Sequence, residues 1–149
     1  MTKIVLRIAE ANQVDYNLFD QLDSMMKYSE DDGIEIDRKK KFQNADEYNH
    51  YIEDEGTILF INVEEEEEPV GFFRMVGLKD DTIHIQDMYI KKSEQRKGYG
   101  KKAVKQLAED VREDFNALFL MSYSLATDMF WMECGFRVNE KGFFELKIK

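Results

Sequence analysis

The residues with the clearest chemical potential run Lys91-Lys92-Ser93-Glu94-Gln95-Arg96-Lys97-Gly98-Tyr99-Gly100-Lys101-Lys102-Ala103-Val104. From Lys91 to Lys105, seven bases (Lys91, Lys92, Arg96, Lys97, Lys101, Lys102, Lys105) stand against one acid, Glu94, within fifteen residues. Gly98 and Gly100 let the backbone turn tightly and bring its N–H groups close to a ligand. A helix beginning here adds about half a unit of positive charge at its N-terminus. The chain as a whole carries a net charge of −10. Against that background the local reversal points to a polyanionic ligand, and a pyrophosphate fits best. The competing account is a solvated helix face behind a glycine turn.

Other phosphate motifs fit less well. A Walker loop needs a glycine five residues before the Gly-Lys pair and a Ser or Thr after the lysine, where this chain has Gln95 and Lys102. Gly98-Tyr99-Gly100-Lys101-Lys102-Ala103 satisfies a relaxed dinucleotide fingerprint. That fingerprint also wants an acid at the end of the next strand, which here ends in Ser122-Tyr123-Ser124.

Few other side chains invite a chemical role. His84 has an unperturbed pKa of about 6.5, suited to accepting a proton near neutrality. It lies on a predicted strand, where the plainer account is a satisfied sheet histidine. Asp87 is a second candidate base, and such a residue is more often structural. Cys134 ends an apolar helix with no histidine near it in the chain, which describes an inert buried thiol. One cysteine and two distant histidines, His50 and His84, give no metal-ligand spacing.

Hydrophobic period predicts the elements that position these groups. Residues 3–8 read as a strand. Val14, Leu18, Leu22, Met25 and Met26 recur at helical steps and predict one apolar face. An acid-rich loop covers about 29–37. Asn44 with Glu47 resembles a capping box and opens a second helix carrying Tyr48, Tyr51 and Ile52. Strands at 57–63 and 70–78 form a hairpin with a glutamate-rich tip, followed by a strand at 82–90. A helix from Gly98 to about 114, a buried strand at 117–121, a short helix at 127–134 and a hairpin at 136–139 and 143–148 complete the order β-α-α-β-β-β-α-β-α-β-β. The strand-helix-strand unit implies a parallel pair with a right-handed crossover, and the hairpins imply antiparallel pairing elsewhere. The fold class is therefore α+β: a mixed central sheet in one domain spanning 1–149, with helices on both faces. Simple alternation along 82–90 places His84, Gln86, Met88 and Ile90 on one side, with Ile85, Asp87 and Tyr89 on the other.

Composition sets the outer bounds. The 149 residues are 43 % hydrophobic and 13 % aromatic, enough for a core despite 35 % charged residues. The lone cysteine excludes a disulfide scaffold and is compatible with a reducing compartment. No apolar run approaches the roughly 18–20 residues of a membrane span, and no signal peptide is visible, so the expected location is cytoplasmic. Global acidity and the shortness of the basic patch argue against nucleic acid and anionic membranes as partners.

Three segments resemble the GNAT N-acetyltransferases. Gln95-Arg96-Lys97-Gly98-Tyr99-Gly100 is similar to that family's Gln/Arg-x-x-Gly-x-Gly/Ala pyrophosphate loop. Gln86-Asp87-Met88-Tyr89-Ile90 is similar to the strand before the loop, and Phe130-Trp131-Met132-Glu133-Cys134-Gly135-Phe136 resembles the Phe-Tyr-x-x-x-Gly-Phe helix and strand after it. The element order is also the family's.

The resemblance implies acetyl-CoA as co-substrate and direct attack of an amine on the thioester. It assigns cofactor contacts to Met88, Tyr89 and Ile90 along the pantetheine arm, and to Gln95, Arg96, Lys97, Gly98, Tyr99, Gly100 and Lys101 at the pyrophosphate. Ser124, Phe130 and Trp131 complete that set. A strand-bulge N–H facing the thioester oxygen would stabilise the developing oxyanion. His84 or Asp87, directly or through water, would take the amine proton.

The family's usual acid is the tyrosine of Phe-Tyr, and here that position is Trp131, whose indole has no useful acidity. Tyr123 or a water is then left to protonate the thiolate. Ser124 stands where the family often has asparagine. The acceptor is expected to be a small-molecule amine or a protein lysine or N-terminal amine. Glu30, Asp31, Asp32, Glu35 and Asp37 near the acceptor cleft would favour a cationic one, and the competing account is plain surface charge. Homodimers are frequent in the family. The alternative function is a non-catalytic acyl-CoA-binding or regulatory module that kept the loop and lost the acid.

Overall fold

A computed structural model of the chain describes residues 2–26, 40–77, 80–121 and 125–149. The elements are β1 (Ile4–Ile8), α1 (Gln13–Met26), α2 (Ala45–Asp54), β2 (Thr57–Val63), β3 (Gly71–Gly77), β4 (Thr82–Ile90), α3 (Tyr99–Val111), β5 (Ala117–Leu120), α4 (Leu125–Glu133), β6 (Arg137–Val138) and β7 (Phe144–Lys147). A 3₁₀ turn at Lys92–Glu94, which the apolar period did not signal, links β4 to the basic loop. The seven strands form one sheet in the order β1-β2-β3-β4-β5-β7-β6. Every pairing is antiparallel except β4 with β5. This is the α+β mixed sheet expected from the pattern.

Each sheet face has its own core. On one face Ile83, Ile85, Leu118 and Leu120 pack with Ala103, Val104 and Leu107 of α3, together with Trp131 and Phe136. On the other, Ile58, Phe60, Phe72 and Tyr89 meet Phe19 and Leu22 of α1 and Tyr48 and Tyr51 of α2. Aromatic edges tie this second core together: Phe19 meets Phe72 at 4.8 Å, and Phe42 meets Tyr48 at 5.7 Å. Asn44 caps α2 as its sequence suggested, its Oδ1 accepting from the Glu47 N–H at 3.0 Å.

The buried stripe of α1 matches the expected one at Leu18, Leu22 and Met26 and departs from it at Val14 and Met25. Asp15, Phe19 and Leu22 are buried, with Leu18 and Met26 packing beside them, whereas Val14 is 69 % exposed and Met25 is exposed too. The reason is electrostatic. Arg7 on β1 donates two hydrogen bonds of 2.9 Å to Asp15, and the Glu10 N–H adds a third at 2.7 Å. A carboxylate with three donors can occupy a core-facing slot that hydropathy would assign elsewhere. Those hydrogen bonds, led by that from Arg7, hold the Asp15 carboxyl below its usual pKa.

β3 and β4 approach closely at Gly71, which pairs with Ile90. A Cβ on Gly71 would fall on the Tyr89 carbonyl oxygen, which is backbone and has little freedom to move. Gly71→Ala is therefore expected to destabilise the domain by about 1–3 kcal/mol through overpacking. A lower denaturant midpoint checks it.

Candidate functional site

The site begins where two strands part. β4 pairs with β5 only over Thr82–Ala117, Ile83–Leu118 and His84–Phe119. Beyond that point β4 runs on to Ile90 paired with β3 alone, and β5 stops at Leu120. Among the described residues the edge of β4 from residue 85 onward is thus without a β5 partner.

A bulge lies at the same place. Arg74 is opposite Asp87 while Met75 is opposite Ile85, so Gln86 is an extra residue in β4. This overturns the simple alternation expected for the strand. Ile83 and Ile85, then Met88 and Ile90, all belong to the α3-side core, whereas Tyr89 belongs to the α1/α2 side. His84 stacks on Phe119 at 4.8 Å and 10° between ring planes; Phe119 lies between Leu118 and Leu120, which face α3. His84 and Asp87 therefore share the α1/α2 face rather than lying on opposite faces. A period of two cannot survive an inserted residue.

Around the bulge the side chains form a polar cluster. Arg74 Nε donates to Asp87 Oδ2 at 2.7 Å, and Nη1 donates to Gln86 Oε1 at 2.6 Å. Lys41 Nζ reaches the same Asp87 oxygen at 3.3 Å. The Arg74 guanidinium lies over the Tyr51 ring, 5.7 Å from its centroid. Burial works against the Arg74 charge, but the Asp87 carboxylate outweighs it and raises the pKa. Asp87 is thus an ion-pair partner of two cations, which weakens its candidacy as a base.

His84 is in the opposite situation. Its Nε2 is buried and has no hydrogen-bond partner among the described residues. Burial first, and then the nearby Arg74 charge, lower its pKa from 6.5. The imidazole thus keeps an unpartnered nitrogen beside the parting strands, which the reading of a satisfied sheet histidine does not explain.

The basic loop lies at the far end of β4. Gln95 Nε2 donates to the Ile90 carbonyl at 2.8 Å and anchors the loop to the strand. Gly98 caps α3 with φ +81°, a left-handed conformation, and Arg96 also has positive φ at 68°. The Lys102 N–H closes the first turn onto the Gly98 carbonyl at 3.2 Å. The N–H groups of Tyr99, Gly100 and Lys101 precede any intrahelical partner, as in every helix start, and suit an anion.

The two glycines act differently. A Cβ on Gly98 would meet nothing within 4 Å, so only its backbone angle demands glycine. Gly98→Ala is expected to cost about 1–2 kcal/mol of pure conformational strain, measurable by chemical denaturation. A Cβ on Gly100 would lie 3.0 Å from the Phe130 ring and 3.8 Å from Met88 Cε, so Gly100 makes room for a contact between β4, α3 and α4.

The bases are partly neutralised. Lys97 pairs with Glu94 and Lys101 with Glu133, each at 2.9 Å, and Lys102 Nζ donates to the Thr2 carbonyl. Trp131 is 7 % exposed and packs edge-to-face between Phe130 and Phe136. Burial pushes the Cys134 thiol up to about 11, which leaves it protonated and inert. Tyr123 and Ser124 lie outside the described residues, as does the acidic loop with Glu30, Asp31, Asp32, Glu35 and Asp37. Sequence reasoning did not single out Arg74, Lys41 or Tyr51. Their signal is in the pairing register of β3 with β4.

Residues 22–136 match the model of the acetyltransferase (GNAT) family. The chain belongs to that family, whose acetyl donor is acetyl-CoA. The fold is shared with a GNAT acetyltransferase from Staphylococcus aureus Mu50, at TM-score 0.72 and 17 % identity, covering 97 % of this chain and 100 % of that one. It is shared too with a GNAT N-acetyltransferase from Escherichia coli in complex with CoA, at TM-score 0.65 and 12 % identity, over 100 % of this chain and 83 % of that one. A Bacillus subtilis acetyltransferase in complex with CoA matches at TM-score 0.62 and 17 % identity, over 97 % of each chain. No curated protein matches the chain. Among the described residues no helix is long and apolar enough to cross a membrane, and no group of three potential ligands could hold a metal ion.

Proposed function

We propose that this protein is an acetyl-CoA-dependent N-acetyltransferase that moves an acetyl group to a primary amine by direct attack. The observation that carries the reading is the alignment of two features on one strand: the parting of β4 from β5 after His84, and the glycine-turned start of α3 tethered to Ile90. The spacing between them is filled by Met88, Tyr89 and Ile90, whose backbone would line an extended arm. The N–H groups at the start of α3 support a pyrophosphate there, with Arg96 beside them and Lys97 and Lys101 free to exchange their surface partners Glu94 and Glu133 for it.

Acetyl-CoA supplies the acetyl group as an activated thioester. This chain's part is to bind and orient it, and to move two protons. Gln95, Arg96, Lys97, Gly98, Tyr99, Gly100 and Lys101 hold the phosphate end. Phe130 packs beneath that turn, Trp131 is assigned to the pantetheine arm, and Ser124 is assigned to the cofactor. His84 Nε2 takes the proton that the amine must lose as its nitrogen bonds to the acetyl carbon, directly or through water. The C–S bond breaks, and Tyr123 or a water returns a proton to sulfur. Asp87 is better read as the partner of Arg74 than as the base.

The acceptor is a small-molecule amine or a protein lysine or N-terminal amine. The acids at 30–37 are the motive for a cationic one. Equal rates on neutral and polycationic amines, unaffected by charge reversal at Asp31 and Asp32, would remove that preference. A homodimer in the cytoplasm completes the reading; a single reduced cysteine is in keeping with that compartment.

One observation favours a second reading, a non-catalytic acyl-CoA-binding module. Trp131 fills the aromatic core at the position where an acidic phenol is expected. Thiol release from acetyl-CoA across a panel of amines decides between them. Amine-dependent release of one CoA per acetylated amine supports the enzyme. Tight acetyl-CoA binding with no release above the rate without protein supports the module.

A further inference from the structure

Arg74 stands on β3 directly opposite the place where β4 carries one residue too many. Nothing in a backbone ladder distinguishes a bulge at Gln86 from one a residue earlier or later, so side chains must make the choice. Tyr51 meets Gln86 and Lys41 meets Asp87 here, and Arg74 meets both. The Arg74 fork takes Asp87 with Nε at 2.7 Å and Gln86 with Nη1 at 2.6 Å, gripping both residues of the bulge at once. The fork is itself held in place. Its side chain is only 16 % exposed, it lies over the Tyr51 ring, and Lys41 reaches the same Asp87 oxygen. Moving the bulge by one residue would break both contacts and reverse the faces of the residues in between.

We propose that Arg74 is a positioning residue that locks the β4 bulge at Gln86 and so fixes where β4 leaves β5. The assignment rests on the acetyltransferase reading. Arg74 binds neither the phosphate end nor the amine; it sets the backbone edge at 86–90 against which the acyl end of the co-substrate lies. A lysine in its place keeps the charge but has one nitrogen and no planar fork, so it cannot reproduce the two fixed donor directions that reach Asp87 and Gln86 from separate nitrogens.

Arg74→Lys and Arg74→Gln are compared with the wild type in three measurements: kcat with an amine acceptor, CoA affinity, and backbone hydrogen exchange at 85–88. Misplacing reacting groups by an ångström lowers rates by roughly 10²-fold. The expected result for Arg74→Lys is a kcat lower by roughly 10–100-fold with CoA affinity within about threefold of wild type, and faster exchange confined to 85–88. Wild-type kcat and exchange in Arg74→Lys overturn the assignment. So does a fall in kcat matched by an equal fall in CoA affinity and in unfolding midpoint, which would mark a merely structural arginine. A wild type that binds neither acetyl-CoA nor CoA overturns the acetyltransferase reading and this assignment with it. Where the wild type binds without turnover, the exchange at 85–88 alone decides whether Arg74 locks the bulge.

Discussion

Replacing His84 with glutamine lowers kcat for acetyl transfer by roughly 10²–10⁴-fold, the range expected on removing a general base. Glutamine preserves much of the volume and can still stack on Phe119, so the change removes proton acceptance while disturbing packing little. CoA affinity should be almost unchanged, because the phosphate loop lies at the other end of β4.

The pH dependence follows from the lowered pKa of His84. The imidazole acts only when neutral, and burial together with the Arg74 charge keeps it neutral below the ordinary value of 6.5. The acidic limb of the kcat profile should therefore lie below pH 6.5, and His84→Gln should abolish it along with the rate. Stability carries the same sign. The unfolded chain takes up the proton first as pH falls, so the contribution of His84 is complete above the unfolded pKa. It is lost as pH falls from there through the lower folded value. His84→Gln should flatten this part of the stability curve. An unchanged kcat in His84→Gln would transfer the role to water or another group.

Trp131→Ala is the second large effect, and it acts on stability. The ring is 7 % exposed and meets Phe130 and Phe136 edge-to-face at 5.0 and 5.2 Å. Removing a buried aromatic to alanine costs about 3–5 kcal/mol through lost transfer energy and an unfilled cavity. At roughly 2–4 °C per kcal/mol, Tm falls by about 6–20 °C. Trp131→Tyr separates packing from chemistry. It leaves a ring in the slot and supplies the acidic phenol usual in the family. A kcat above wild type would identify thiolate protonation as the slow step, and an unchanged kcat would leave that proton to Tyr123 or water.

The elements and the one parallel pair were legible because strands buried on one or both faces show in the pattern directly. Thr57–Val63 and Thr82–Ile90 have the expected bounds. The errors have a common physical origin: a polar partner distant in sequence. Asp15 turned the buried face of α1 because Arg7, eight residues earlier, pays for its burial. The resemblance implied a bulge in this strand, but its place at Gln86 was not legible because the arginine that grips it lies 12 residues away on the neighbouring strand. Lys101 looked available to a ligand until the fold brought Glu133 to it. The glycine turn that opens α3 was legible since its signal is local, in Gln95, Gly98 and Gly100. The common face of His84 and Asp87 was less so, because it depends on a bulge in the pairing of β4 with β3.

The most direct test of the central claim is thermal unfolding with acetyl-CoA, CoA, ATP and NADH in parallel. A ligand at 100 times its dissociation constant stabilises the folded state by about 2.7 kcal/mol. For a domain of this size the midpoint should rise by roughly 5–11 °C. The account predicts that shift with acetyl-CoA and CoA and little with the others. No shift with either thioester or free CoA, or a larger one with ATP or NADH, would contradict it.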